Sequence, residues 1–231
     1  IFDSLRRDYV RFDRWLAMAM RMRRIAWIIV NDDGSYAALV IVKEENPGEH
    51  GLRGKLLKMC TFKVSEDHRG SRFGELLLKP VLDHAKANGY DTVFVEAKPD
   101  NVELFSFLET FGFQDTGRMK DGPDPVYAKT LHIPEDGAPE MDNLTFHISF
   151  GPPALRWRGV PAFVVPIKPR YHERLFPEGE RQLPLTPSSE PHANAIRKAY
   201  LCRASLRQVR PGDVLYFYRS RCQEVTVVGV V

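Results

Sequence analysis

Cysteine is scarce in this chain. Its 231 residues hold three, Cys60, Cys202 and Cys222, far apart and without a C-x-x-C pair, which argues against a disulfide framework or a zinc site. A reducing, cytoplasmic setting suits that usage. No apolar run approaches the roughly eighteen residues of a membrane span, and no secretory signal is legible. The net charge of +3 is too small to point to a partner, so the distribution of charge matters more than its sum.

What the chain does have is 43% hydrophobic and 27% charged residues, the balance of a globular protein that buries a core. Its length suits one large or two small domains. It begins at Ile1 and stops inside the strand-like run Val225–Val231, so both ends read as cut, leaving room for an upstream domain.

Ile1 to Arg24 reads as one or two helices, with Phe2, Leu5, Tyr9, Phe12, Leu16 and Met20 at helical spacing. The opposite face carries Arg6, Arg7, Arg11, Arg14, Arg21, Arg23 and Arg24 against Asp3, Asp8 and Asp13. It is either a solvated face or a surface for a nucleic acid or acidic partner. Ile25–Val30 and Tyr36–Val42 flank a turn ending in Asp33-Gly34, a hairpin signal. A polar loop from Lys43 to Gly54 then leads to the strand-like run Leu56–Val64.

The stretch Ser65-Glu66-Asp67-His68-Arg69-Gly70-Ser71-Arg72 joins that strand to a helix with Phe73, Leu77, Val81 and Ala85 on its core face. Asn88-Gly89 stops the helix, and Pro80 inside it is expected to kink it or limit its regular part. A strand, a glycine-containing turn and a helix N-terminus make an anion site. The first helical N–H groups lack internal partners and the helix dipole is positive there. Arg69 and Arg72 add two cations, so a phosphate-bearing ligand is expected. A further strand, Asp91–Ala97, precedes Asn101 and the apolar run Leu104–Phe113.

The segment Arg69-Gly70-Ser71-Arg72-Phe73-Gly74 resembles the Q/R-x-x-G-x-G/A segment of the GNAT N-acetyltransferases, with Arg72 where the family has a glycine. Asn101, followed by a helix ending in Gly112-Phe113, resembles the family's later region. The resemblance implies an α/β (α+β) acyl-CoA N-acyltransferase fold with acetyl-CoA as cofactor. Its pyrophosphate would lie on Arg69, Gly70, Ser71, Arg72, Phe73 and Gly74. Its pantetheine arm would pair with backbone near Phe62, Lys63 and Val64 in a V-shaped opening between two strands, beside Asn101 and Phe105. The tyrosine that many members use as acid falls at Leu108, which has no hydroxyl. Glu96 is the candidate base, because a carboxylate partly buried in that opening would have a raised pKa. Cys60, Ser65 and His68 lie near the same opening. No placed nucleophile stands out, so an amine would attack the thioester directly.

After a closing strand, Val126–Leu131, the region His132–Asn143 is rich in proline and acids and reads as a linker. The expected division is an acetyltransferase domain over 1–133, a linker over 134–143 and a second domain over 144–231, truncated at its end. Thr145–Phe150, Phe163–Ile167, Val214–Ser220 and Val225–Val231 read as short strands and Lys168–Pro177 as irregular, which suggests a small β-barrel. Pro211-Gly212-Asp213 before an aromatic strand resembles the PUA-like superfamily, particularly its ASCH-type domains.

Arg197, Lys198, Arg203, Arg207, Arg210, Arg219 and Arg221 face the single acid Asp213, with Tyr200, Tyr216, Phe217 and Tyr218 interleaved. Cations for phosphates beside aromatics for bases are the footprint of RNA recognition. Arg197, Lys198, Arg203, Arg207, Tyr216, Tyr218 and Arg219 are therefore the expected RNA contacts. Together these readings describe an acetyl-CoA-dependent N-acetyltransferase with an RNA- or tRNA-linked, toxin-like or translation-related role. Its acceptor would be an aminoacyl-tRNA, a protein amine or a modified base. The alternative is an inactive acyltransferase fold serving as a CoA-sensing or RNA-binding scaffold, or an accessory to a nuclease.

Overall fold

The computed structural model describes residues 1–117, 124–133, 140–152, 154–177, 195–201 and 208–231. The chain divides into two compact units, Ile1–Leu131 and His132–Val231.

The first unit opens with two helices, α1 (Phe2–Asp8) and α2 (Phe12–Arg21), and a hairpin of β1 (Ile25–Val30) and β2 (Tyr36–Glu45). The hairpin turn is closed by bonds from Asn31 N to Ser35 O and from Gly34 N to Asn31 O. Then come β3 (Leu56–Val64), α3 (Phe73–Ala87), β4 (Thr92–Glu96), α4 (Val102–Glu109), β5 (Gln114–Asp115) and β6 (Val126–Thr130). The six strands form one sheet in the order β1-β2-β3-β4-β6-β5. Only the β3–β4 pair is parallel, because α3 carries the chain back between them, as a parallel connection requires.

Residues 37–42 of β2 are all buried, so this strand is covered on both faces and reads as a continuous apolar run. On α3 the buried residues Leu77, Leu78, Val81, Leu82 and Ala85 recur at helical spacing, and the helix packs against β2, β3, β1 and β4. Each such leucine stabilises the unit by about 1.5–3 kcal/mol; Leu78→Ala would cost about 2–5 kcal/mol. α3 runs without interruption through Pro80, although the proline withdraws the donor for the Leu76 carbonyl. Burial pulls the Lys129 ammonium on β6 down to about 7.

The second unit holds α5 (Asn143–Phe150), β7 (Ala162–Ile167), α6 (Pro169–Leu175), β8 (Val214–Arg219) and β9 (Glu224–Val230). Its strands make an open sheet in the order β7-β8-β9, parallel and then antiparallel. This corrects the expected barrel: among the described residues no sheet closes. One reason lies at Thr145–Phe150, whose β-rich composition suggested a strand. Asp142 caps this run as a helix, its Oδ1 accepting from Thr145 N at 3.0 Å and its Oδ2 from Thr145 Oγ1 at 2.5 Å. Such a cap satisfies helical donors that a strand would not present. Lys168–Pro177, expected to be irregular, contains α6, which starts on Pro169, where a fixed φ and a missing N–H cost nothing. Three strands are too few to close. Of the expected linker, residues 134–139 lie outside the described residues.

Among the described residues no helix is long and apolar enough to cross a membrane.

Candidate active site

β3 and β4 pair over only four positions, from Leu56↔Thr92 to Met59↔Val95. Beyond Met59 the two strands part. The cause is visible on the other side of β3, where Ile41 pairs with Thr61 but Val42 with Met59, so Cys60 is an extra residue. A bulge of this kind bends and twists its strand. From Thr61 onward β3 pairs with β2 alone. Ser65 N donates to Ala37 O, and backbone groups alternate sides along a strand. Lys63 and Thr61 therefore bond toward β2, while Phe62 and Val64 direct their N–H and C=O to the open edge.

The parted strands border a cleft of about 680 Å³. Tyr9, Phe12 and Trp15 line it from the N-terminal helices and their connection, Lys58 to Lys63 from β3, Val95 to Ala97 from the end of β4, and Asn101 and Leu104 from α4. Asn101 is the N-cap residue of α4, with its Nδ2 donating to Lys98 O at 3.3 Å. A smaller recess of about 410 Å³, lined by Val42, Glu44, Leu57, His84 and Tyr90 among others, touches none of the predicted cofactor or base residues.

Past β3 the chain makes a tight turn, Glu66–His68, held by Ser65 Oγ against His68 Nδ1 at 2.7 Å. The His68 ring stacks on Phe73 at 5.2 Å, so this histidine braces the turn. Gly70 has φ +80° and Arg72, the N-cap of α3, has φ 63°. The left-handed backbone at position 72 explains why the resembling family has a glycine there. An arginine in that conformation costs roughly 1–2 kcal/mol. The Arg72 side chain does not cap the helix; it turns to Glu75, 3.3 Å away. Arg69 is half-exposed, with Nη1 3.1 Å from Glu103 Oε2. A Cβ on Gly74 would lie 3.0 Å from the Phe107 ring, so this glycine lets α3 approach α4. A long helix whose N-terminus has no side-chain cap, flanked by two arginines, fits a diphosphate group.

At the far end of the opening, Glu96 is met by an ammonium and an imidazole and not by an apolar wall. Lys58 Nζ donates to Glu96 Oε2 at 2.6 Å, and His50 Nε2 lies 3.6 Å from the same oxygen. Both partners also touch Phe94: the His50 ring stands edge-on to it at 5.5 Å and Lys58 Nζ lies 5.6 Å from its centre.

Nothing in the sequence marks His50 or Tyr9 as part of the site. Glu49-His50-Gly51 looks like ordinary loop, and Tyr9 was read only as one of a helix's apolar positions. Burial, then the charges of Asp124, Asp8 and Asp100, push the Tyr9 hydroxyl up, which keeps it protonated. Burial likewise pushes the Cys60 thiol up, which suppresses the thiolate that a nucleophile needs.

Residues 2–113 match the model of the acetyltransferase (GNAT) family. This match supports an N-terminal GNAT acetyltransferase domain in the first unit. Over 67 residues the chain is 28% identical to human N-acetyltransferase 8B, a match covering 29% of this chain and 30% of that protein's length. It is similar to the IAA acetyltransferase from Bacillus cereus ATCC 14579, with 17% identity, a TM-score of 0.41 and coverage of 51% of this chain and 84% of that one. It is also similar to the ribosomal-protein-S18-alanine N-acetyltransferase from Escherichia coli, with 16% identity, a TM-score of 0.41 and coverage of 52% and 77%.

Within the GNAT domain, Leu108 is fully buried and Phe105 is buried with its ring stacked on Tyr127 at 4.4 Å. Neither Phe105 nor Tyr127 lines the cleft. Phe107 instead reaches toward β3, 5.8 Å from the Phe62 ring.

Among the described residues expected to contact RNA, the two tyrosines and Arg219 lie on opposite faces of the sheet. Tyr216 and Tyr218 share a sheet face with Val164 and Pro166 by register, while alternation puts Arg219 on the other face. There Arg219 Nη2 donates to Glu173 Oε1 at 2.9 Å, with Glu224 4.0 Å away. Lys198 Nζ lies 5.6 Å from the centre of the Phe176 ring, and Arg197 is exposed. Arg203 and Arg207 lie outside the described residues.

Proposed function

We propose that the GNAT domain transfers an acetyl group from acetyl-CoA to an amine by direct attack on the thioester. The early end of the β3–β4 pairing carries this reading. It leaves a strand edge at Phe62 and Val64 that leads from the uncapped start of α3 to the Glu96 carboxylate. The turn from Arg69 to Gly74 would hold the pyrophosphate, and the outward backbone of Phe62 and Val64 would pair with the amide-bearing arm, as an added strand does. Asn101 would contact that arm from the opposite wall.

When bound, the thioester supplies the activated acyl group. Glu96 takes the proton from the attacking amine, directly or through water. Tyr9, which lines the cleft, would donate its hydroxyl proton to the leaving sulfur of the bound thioester as the amine displaces it. This assignment is favoured because Tyr9 lines the cleft and stays protonated, whereas Leu108 has no proton to give. The amine's carrier is left general. An RNA-linked acceptor draws no support from Arg219, which Glu173 and Glu224 already engage.

The test is calorimetric titration of acetyl-CoA into the chain and its Arg69→Glu variant, followed by thiol release across a panel of alkyl, aryl and peptide amines. Binding that the charge reversal weakens at least about tenfold, with turnover of some amine, is expected. A chain that neither binds acetyl-CoA nor releases thiol overturns the proposal.

A further inference from the structure

Glu96 lines the cleft; His50, its neighbour, does not. The His50 side chain is 0% exposed, with Nε2 3.6 Å from Glu96 Oε2 and 3.9 Å from Glu49 Oε1. Lys58 Nζ holds the same Glu96 oxygen at 2.6 Å. Glu49, Glu96 and Lys58 thus gather near this imidazole.

The backbone adds an independent observation. His50 sits in the turn Glu49–Gly51 with φ 52° and ψ 20°, a left-handed conformation uncommon for a residue bearing a Cβ. A residue kept in a disfavoured backbone state, with its ring driven against Phe94, points to a use for that ring. Packing alone does not supply one, since an apolar side chain would cover Phe94 without bringing a nitrogen to the carboxylate.

We propose that His50 is a positioning residue for Glu96: its Nε2, together with Lys58, holds Oε2 and so aims the carboxylate into the cleft. The inference rests on Glu96 being the base of the proposed acetyl transfer. The last torsion of a glutamate is broad and has no strong preference of its own. Two donors on one oxygen fix it and orient the second oxygen toward the incoming amine. The separation of 3.6 Å is expected to shorten to a hydrogen bond when substrates fill the site, since catalytic contacts tighten in the substrate complex.

The experiment compares His50→Gln with His50→Asn by steady-state thiol release from acetyl-CoA, with melting temperatures measured alongside. Glutamine carries an amide nitrogen near the position of the histidine Nε2. Asparagine tolerates a left-handed backbone but is too short to reach Glu96. The Asn variant should lose about tenfold or more in kcat, with KM for acetyl-CoA close to that of the unaltered chain and a lower melting temperature, because the shorter side chain gives up the ring's contact with Phe94. The Gln variant should recover most of the rate. An Asn variant with unaltered kcat, or a Gln variant as slow as the Asn one, overturns the inference and leaves the acetyl-transfer reading standing if Glu96→Gln is inactive. An unaltered chain inactive toward every amine in the panel overturns both.

Discussion

Arg69 on the phosphate turn and Glu103 in the first turn of α4 form an ion pair, with Nη1 3.1 Å from Oε2. The pair places a carboxylate against a cation assigned to the pyrophosphate, so ligand and Glu103 compete for one guanidinium. Both side chains are more than half exposed, and an exposed pair is worth at most about 1 kcal/mol. Glu103→Gln should therefore tighten acetyl-CoA binding by roughly two- to fivefold by calorimetry while leaving the melting temperature unchanged. Weaker binding in this variant would show that Glu103 orients Arg69 for the ligand.

Glu96→Gln keeps the shape of the side chain and removes its ability to accept a proton. The expected result is a fall in kcat of about a hundredfold or more, with the dissociation constant for acetyl-CoA unchanged. The two measurements together separate chemistry from binding; equal rates in the two proteins would remove Glu96 from the mechanism.

Tyr9→Phe should lower kcat by about tenfold or more and leave acetyl-CoA binding intact. The pH dependence follows from the direction of the shift. A tyrosine pushed above its ordinary value of about 10 remains protonated through neutral and mildly alkaline pH. The unaltered chain should accordingly show no loss of rate from Tyr9 below about pH 10. A descending limb near pH 8 that Tyr9→Phe abolishes would contradict this.

Lys129 makes a prediction about stability. Burial brings its ammonium down to about 7, whereas in the unfolded chain it titrates near 10.4. Between these values the unfolded state binds more protons, so stability rises with pH, by up to about 1.4 kcal/mol per unit. The contribution is least favourable at and below neutrality, where folding discards a proton or buries a charge. Lys129→Met should be more stable than the unaltered chain at pH 7, and denaturant titrations should show the gap narrowing toward pH 10. A gap independent of pH would mean that Lys129 is charged in both states.

Much of the first unit was legible because its signals are local. The β-rich composition of Ile25–Val30 and Leu56–Val64, the period near 3.6 in Phe73–Ala85 and the Gly89 stop, at φ +65°, act over a few residues each. Thr145–Phe150 was misread because its fate rests on one capping carboxylate at Asp142 that outweighs β-rich composition. A count of basic and aromatic residues along the second unit does not say which of them share a face. Paired as strands, Tyr218 and Arg219 face opposite ways.

The sequence by itself determined the strand–turn–helix unit, its two arginines and the glutamate ending the next strand, because neighbouring residues and backbone propensity suffice for these. Only the tertiary structure decided what Glu96 meets. His50 lies 46 positions before it and Lys58 38, and their approach depends on β3 registering against β4. The bulge at Cys60 opens the cleft, and the chain from Tyr9 to Trp15 walls it. These are contacts between distant segments, chosen by packing and register, and no periodicity along the chain records them.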